Sequence, residues 1–209
     1  ASDMPTGAQG GFLSQVQLGL LYDSRDKEPS TSRGVFTEGS IRGAHSLTGS
    51  DFNTWGANVT HRQWFSLLSE DRLVLALRAG LDVYRGEVPF FHQHILGGSQ
   101  WVELGGNLAL RGLPNGRHRG HVTAYSNAEL RWLFARFSPG QARLGALFVP
   151  FIDLGRVWLR GEEDEALHVH GRAGAYLRLI CNEEFVVRFD VAYALEEYAD
   201  APLEDEVAE

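Results

Sequence analysis

Between positions 72 and 84 the chain reads Arg-Leu-Val-Leu-Ala-Leu-Arg-Ala-Gly-Leu-Asp-Val-Tyr. Leu73, Leu75, Leu77, Ala79, Leu81 and Val83 share one parity, while Arg72, Arg78, Gly80 and Asp82 take the other. A period of two is the signature of a β-strand with one apolar and one polar face. The same alternation recurs outward from this stretch in both directions. In Phe12–Asp23 it sets Phe12, Val16, Leu18, Leu20 and Tyr22 against Gln15, Gln17, Gly19 and Asp23. In 122–134 it sets Ala128, Leu130, Trp132 and Phe134 against Tyr125, Asn127, Glu129 and Arg131. Segments 169–179 and 185–195 repeat it, and 35–43, 55–65 and 144–158 supply three further strands. Turn signals such as Lys27-Glu28-Pro29-Ser30, Leu113-Pro114-Asn115-Gly116 and Ser138-Pro139-Gly140 separate them. The reading is an all-β, antiparallel chain of about eight strands, each about ten to fifteen residues long, where soluble strands run nearer five or six.

Long strands with one greasy face and one face of Arg, Glu, Asp and Gly suit a transmembrane β-barrel, with lipid outside and a polar lumen. On that reading Leu73, Leu75, Leu77, Leu81, Phe189 and Val191 face lipid. Tyr22, Trp64, Tyr84, Trp132, Trp158 and Tyr198, near strand ends, form aromatic girdles at the two interfaces. The alternative from patterning alone is a soluble barrel with the apolar parity turned inward and a small ligand in its mouth.

Composition narrows the classes. The chain has 209 residues, 44% hydrophobic and 22% charged, which is ordinary for a folded protein. Its formal net charge of -8 disfavours nucleic acid as a partner. One cysteine allows neither an internal disulfide nor a thiolate metal cage. No run of about 18 apolar residues exists, so no membrane-spanning helix is expected, which leaves a barrel open. Ala1–Gly10 lacks the basic start and apolar stretch of a signal peptide. The expectation is one domain over 1–209, with 196–209 an acidic loop or tail.

Signs of catalysis are weak. No G-x-S-x-G, phosphate-binding loop or dinucleotide fingerprint occurs. His92 with His94, and His168 with His170, each put two imidazoles on one face of an extended segment, but no carboxylate or cysteine completes a metal set. The reading is no enzyme: no catalytic residues, no metal and no cofactor.

Several separate motifs resemble one family. Leu18-Gly19-Leu20-Leu21-Tyr22-Asp23-Ser24-Arg25-Asp26, followed by Gly34, is similar to a hairpin of the BamA/TamA superfamily of outer-membrane assembly barrels. Leu96-Gly97-Gly98 and then Leu110-Arg111-Gly112-Leu113 resemble that family's long loop, which folds back into the barrel lumen. Asn127-Ala128-Glu129-Leu130-Arg131 and Phe151-Ile152-Asp153-Leu154-Gly155-Arg156-Val157-Trp158 resemble two of its strands. Gly171–Arg178 and Val187–Tyr193 resemble the next two, in the family's order across nearly the whole chain. The resemblance implies an ion-paired lumen loop, with Arg111 set against Glu129 and Asp153. It implies a protein of the bacterial outer membrane that assists insertion or translocation of protein or lipid, with membrane lipids and client outer-membrane proteins as partners. The rival is a passive structural or lipid-homeostasis barrel without insertase activity.

The chain departs from the family in three ways. Leu113 stands where the family has an aromatic residue, no POTRA domain precedes the barrel, and the eight strands match the C-terminal half of a sixteen-strand barrel without its closing strand. Six arginines and four carboxylates share the lumen parity of the strands, which leaves a closed eight-stranded barrel little room for an inward loop. The favoured reading is therefore part of a larger barrel, completed by further sequence, another copy or a partner chain; a closed eight-stranded barrel is the alternative.

Overall fold

A computed structural model describes residues 4–93, 95–99, 102–103, 109–112, 120–140, 142–158, 169–182 and 185–195. Its strands are β1 (Gln15–Asp23), β2 (Gly34–Ala44), β3 (Thr54–Ser66), β4 (Leu73–Gly86), β5 (Ile95–Leu96), β6 (Val102–Glu103), β7 (Val122–Phe137), β8 (Leu144–Trp158), β9 (His170–Cys181) and β10 (Phe185–Ala194). Eight of them form one sheet in the order β1-β2-β3-β4-β7-β8-β9-β10, each antiparallel to its neighbour. β5 and β6 make a two-residue ladder inside the long connection between β4 and β7. The eight long strands lie where the alternation places them. β1 begins later than expected because Phe12 is diverted: its N–H donates to Asp51 Oδ2 at 2.7 Å and its carbonyl accepts from Asp51 N–H.

The sheet is curled. The β1–β2 turn accepts hydrogen bonds from Arg131 on β7 and Arg178 on β9, through Thr31 O and Pro29 O. In a flat sheet β2 and β9, five ladder steps apart, would be separated by about 24 Å at the usual strand spacing. An arginine side chain cannot span that, so the sheet bends around its own turn. The inner face carries the even-numbered residues of β2, β3 and β4 and the odd-numbered residues of β8, and this face is the buried one. Two apolar clusters sit there: Leu96, Ala109, Leu110 and Tyr125, with Val157; and Leu147, Val149, Phe151 and Tyr176, with Leu133, Ile180 and Ala192. The first cluster joins the sheet to Leu96, Ala109 and Leu110 of the connection, and the second is formed by the sheet's own inner face.

The apolar parity points outward. Leu77, Leu81, Phe189 and Val191 are exposed, and Leu73 and Leu75 are partly so. This is opposite to the soluble-barrel alternative, which turns that parity inward. Among the described residues β1 pairs with β2 and β10 with β9, and no ladder joins β1 to β10. The sheet is open, and the closed eight-stranded alternative gives way to the part-barrel. Leu110 and Arg111 of the connection are buried against the inner face.

Two details correct the sequence reading. Tyr84 and Trp64 do not join an outer girdle. Tyr84 shares the parity of Asp82 and is buried on the inner face, where its hydroxyl donates to Gln15 Oε1 at 3.2 Å. Trp64 lines an inner pocket with Arg62 and Arg78. Tyr22 and Trp132 do point outward and are exposed, while Tyr198 lies outside the described residues. The alternation in β7 is also interrupted: a bulge between Leu133 and Ala135 makes Phe134 an extra residue against β8.

Candidate functional site

The inner face holds the long connection at two places. The later one is built on β7, β8 and β9. Ala109 and Leu110 are fully buried. Leu110 fits because position 155 is glycine: a Cβ there would collide with the Leu110 side chain. Asn127 Nδ2 donates to Ala109 O at 2.6 Å and fixes the approach of the chain. Arg111 then turns its guanidinium into the sheet. Its Nε donates to Asp153 Oδ2 at 2.8 Å and its Nη2 to Asp153 Oδ1 at 2.5 Å, a two-pronged contact. Its Nη1 donates to Glu129 Oε1 at 2.6 Å, and its main-chain N–H also reaches Asp153 Oδ2, at 3.1 Å. The guanidinium plane lies 3.6 Å from the Phe151 ring centroid. Glu129 Oε2 accepts from Arg131 Nε at 2.9 Å and from the Tyr176 hydroxyl at 3.1 Å. Asp153 is fully buried and accepts three hydrogen bonds from Arg111.

The earlier place is built on β1, β2 and β4. Arg42 on β2 reaches across β3 to Asp82 on β4, with Nη1 to Oδ2 at 2.9 Å and Nη2 to Oδ1 at 2.6 Å. Gly56 on β3 lies between them and leaves the path open; a Cβ there would sit 3.0 Å from Arg42 Nε. The Arg42 guanidinium stacks 3.8 Å from the Tyr84 ring centroid. The connection adds main-chain groups to this pair. Gly97 N–H donates to Asp82 Oδ2 at 2.7 Å, and Gln17 Nε2 on β1 donates to Gly98 O at 2.9 Å. Ser99 donates to Glu38 Oε2 through its N–H at 3.0 Å and its hydroxyl at 2.6 Å.

The structure therefore brings Leu110, Arg111 and Gly112 onto the inner face beside Glu129 and Asp153. Gly112 takes a left-handed φ of 81° and lies against Ala192 of β10, where a Cβ would come within 2.9 Å. Leu113, Arg117, Arg119, His94, His168 and the acidic run 196–209 lie outside the described residues. His92 Nε2 contacts Gln15 Oε1 at 3.1 Å and its ring packs edge-on to Tyr84. Sequence reasoning placed Arg42 and Asp82 on the lumen parity without pairing them, and missed Glu38, Tyr84, Asn127 and Tyr176. The Arg42–Glu38 spacing on one strand face, opposite Gly56, is the signal that could have found the earlier anchor.

The Tyr22–Asp26 hairpin motif also has a structural use. Asp23 and Arg25 pair at 2.6 Å, and Asp26 Oδ1 accepts the N–H groups of Lys27, Ser32 and Arg33. Ser32 hydroxyl bonds both Asp26 and Asp71. The turn is thereby folded toward the strands it touches on the far side of the sheet.

The sequence matches the Omp85 superfamily domain over residues 6–206. The chain belongs to the Omp85 superfamily. A search of curated proteins finds no match. Among solved structures, the crystal structure of BamA from Haemophilus ducreyi lacking POTRA domains 1-3 is similar, with a TM-score of 0.69 at 19% identity. The match covers 88% of this chain and 39% of that one, and it places the Omp85 sheet on a fold shared with part of that molecule.

Proposed function

We propose that this Omp85 chain sits in the bacterial outer membrane as part of a larger barrel and assists insertion or translocation of protein, or of lipid. The observation that carries this reading is the outward apolar face of the long-stranded sheet: Val16, Leu18, Leu20 and Tyr22 of β1 stand exposed on it with Leu77, Leu81, Phe189 and Val191. The BamA likeness and the superfamily membership support the same reading.

On this proposal Leu73, Leu75, Leu77, Leu81, Phe189 and Val191 contact lipid. Arg111, held by Glu129 and Asp153, keeps the connection on the inner face. The partners are membrane lipids, client outer-membrane proteins and, for the two edges, another copy or a partner chain. No catalytic step and no cofactor enters. The test is insertion of a small model barrel protein into liposomes with and without the reconstituted chain. Acceleration supports the proposal. Reconstitution without acceleration marks a passive barrel, and a chain that stays in buffer without detergent defeats the membrane placement.

A further inference from the structure

At the end of the sheet where the short turns lie, the curl encloses a cavity of about 360 Å³. Lys27 from the β1–β2 turn, Arg131 and Arg136 from β7, Arg143 from the β7–β8 turn and Arg178 from β9 all line it, with Asp71 as the one carboxylate among the lining residues. Three of these cations have acidic neighbours: Arg131 pairs with Glu129 at 2.8 Å, Arg136 with Glu70 at 3.0 Å, and Lys27 lies 3.9 Å from Asp71. Arg143 and Arg178 have no carboxylate partner among the described residues.

Arg178 is the decisive group. It is 9% exposed, so nine-tenths of it is out of water. Its Nη2 reaches Pro29 O and Ser30 Oγ at 3.3 Å each, and its Nε is buried with no hydrogen-bond partner. A guanidinium keeps its charge at any accessible pH. Glu129, whose field reaches Arg178, is already paired with Arg111 and Arg131, so the site keeps an excess of positive charge that an anion would offset. Guanidinium forks match the oxygen geometry of phosphate better than that of a spherical ion. Ser30 hydroxyl, accepting from Arg178, can donate to the same ligand. Beside the cations the lining carries an apolar group: Val74, Leu133, Leu147 and Ile180.

We infer that this cavity binds a phosphate-bearing anion, its charge held by Arg178 and Arg143 and its apolar portion laid against the Leu133–Ile180 group. A lipid headgroup and a free phosphate share that chemistry. The site does not depend on the insertion reading, because the arginines that hold the anion, Arg178 and Arg143, lie on β9 and in the β7–β8 turn. Occupied, it bridges the β1–β2 turn to β7 and β9.

The test is titration of the full chain, reconstituted in phosphatidylcholine nanodiscs, with dihexanoyl phosphatidic acid, inorganic phosphate and a hexaglutamate peptide in parallel. The expected result is saturable phosphatidic acid binding that Arg178→Gln weakens at least tenfold and Arg143→Ala at least threefold. Arg85→Ala, at the other end of β4, is expected to leave it unchanged. Phosphatidic acid at least tenfold tighter than inorganic phosphate identifies a lipid headgroup as the source; equal affinities identify a free phosphate. Absence of saturable binding to both, tighter binding of hexaglutamate, or binding unmoved by the arginine variants overturns the inference. Should Arg178→Gln fail to fold, Arg143→Ala decides alone, since Arg143 is an exposed turn residue.

Discussion

The two anchors of the long connection solve one problem with opposite placement of the arginine. At the earlier anchor the arginine belongs to the sheet: Arg42 and Asp82 satisfy each other across Gly56, and the connection contributes Gly97 N–H, Gly98 O and Ser99. At the later anchor the arginine belongs to the connection, and the sheet offers the carboxylates of Asp153 and Glu129. If the connection left the inner face, Arg42–Asp82 would remain a complete pair and Glu129 would keep Arg131. Asp153 would lose all three hydrogen bonds it accepts from Arg111. The later anchor is therefore conditional on the connection, and the earlier one is not.

The sharpest way to break that contrast is Arg111→Ala. It removes the ion pair and two side-chain hydrogen bonds from a fully buried carboxylate, and we expect a loss of about 3–5 kcal/mol. Denaturant unfolding of the detergent-solubilised chain measures this, with fast protease cleavage in 97–119 as the companion signal. Arg111→Lys is expected to restore little, since an ammonium cannot make the two-pronged contact with Asp153 while also reaching Glu129. Cleavage rates like those of wild type in both variants would show that the connection does not need its arginine.

Gly56→Val attacks the other anchor. Its side chain enters the path between Arg42 and Tyr84, at an expected cost of about 1–3 kcal/mol from overpacking. The contrast predicts that global stability falls while cleavage within 97–119 rises less than in Arg111→Ala. Ser99→Ala is milder. It removes one hydroxyl donated to Glu38 and leaves the N–H contact, so about 0.5–1.5 kcal/mol is expected, read by the same two measurements.

The smallest effect is one of pH, and it lies outside both anchors. In the β1–β2 turn burial pushes the Asp26 carboxyl up, but the Ser32 hydroxyl and the N–H groups of Ser32, Arg33 and Lys27 outweigh it and hold the group below its ordinary 3.8. A depressed carboxyl stabilises the folded turn above its unfolded value and loses that contribution as pH falls through the folded one. Protection factors at the Ser32 and Arg33 amides should thus be constant from pH 7 to about pH 4 and fall below it. Asp26→Asn should lower them above pH 4 and converge with the wild type in acid.

The strands were legible because a period of two survives in each of them: Leu73 to Val83 and Phe185 to Leu195 state their own parity. The later anchor was legible through the resemblance of Leu110–Gly112, Glu129 and Asp153 to a family pattern, since nothing in the spacing of 111, 129 and 153 brings them together. The earlier anchor was not. Arg42 and Asp82 are not on neighbouring strands, and their contact depends on an intervening residue without a side chain, which a strand-by-strand reading does not weigh. The bulge at Phe134 escaped for a similar reason: Leu133 and Phe134 are both apolar, and their order on two faces is set by what β8 presents to them. Tyr84 was misassigned because its type suggested an interface while its parity, shared with Asp82, dictated the interior.

Gly98 and Gly112 lie on the same connection and touch opposite lips of the open sheet. Gly98 accepts from Gln17 on β1, the first lip, and Gly112 rests on Ala192 of β10, the last. Between them the chain is riveted to the sheet at Ala109 and Arg111. The described parts of one connection thus meet both ends of the eight-stranded order, so a displacement of β1 or of β10 is felt by the segment that carries Arg111.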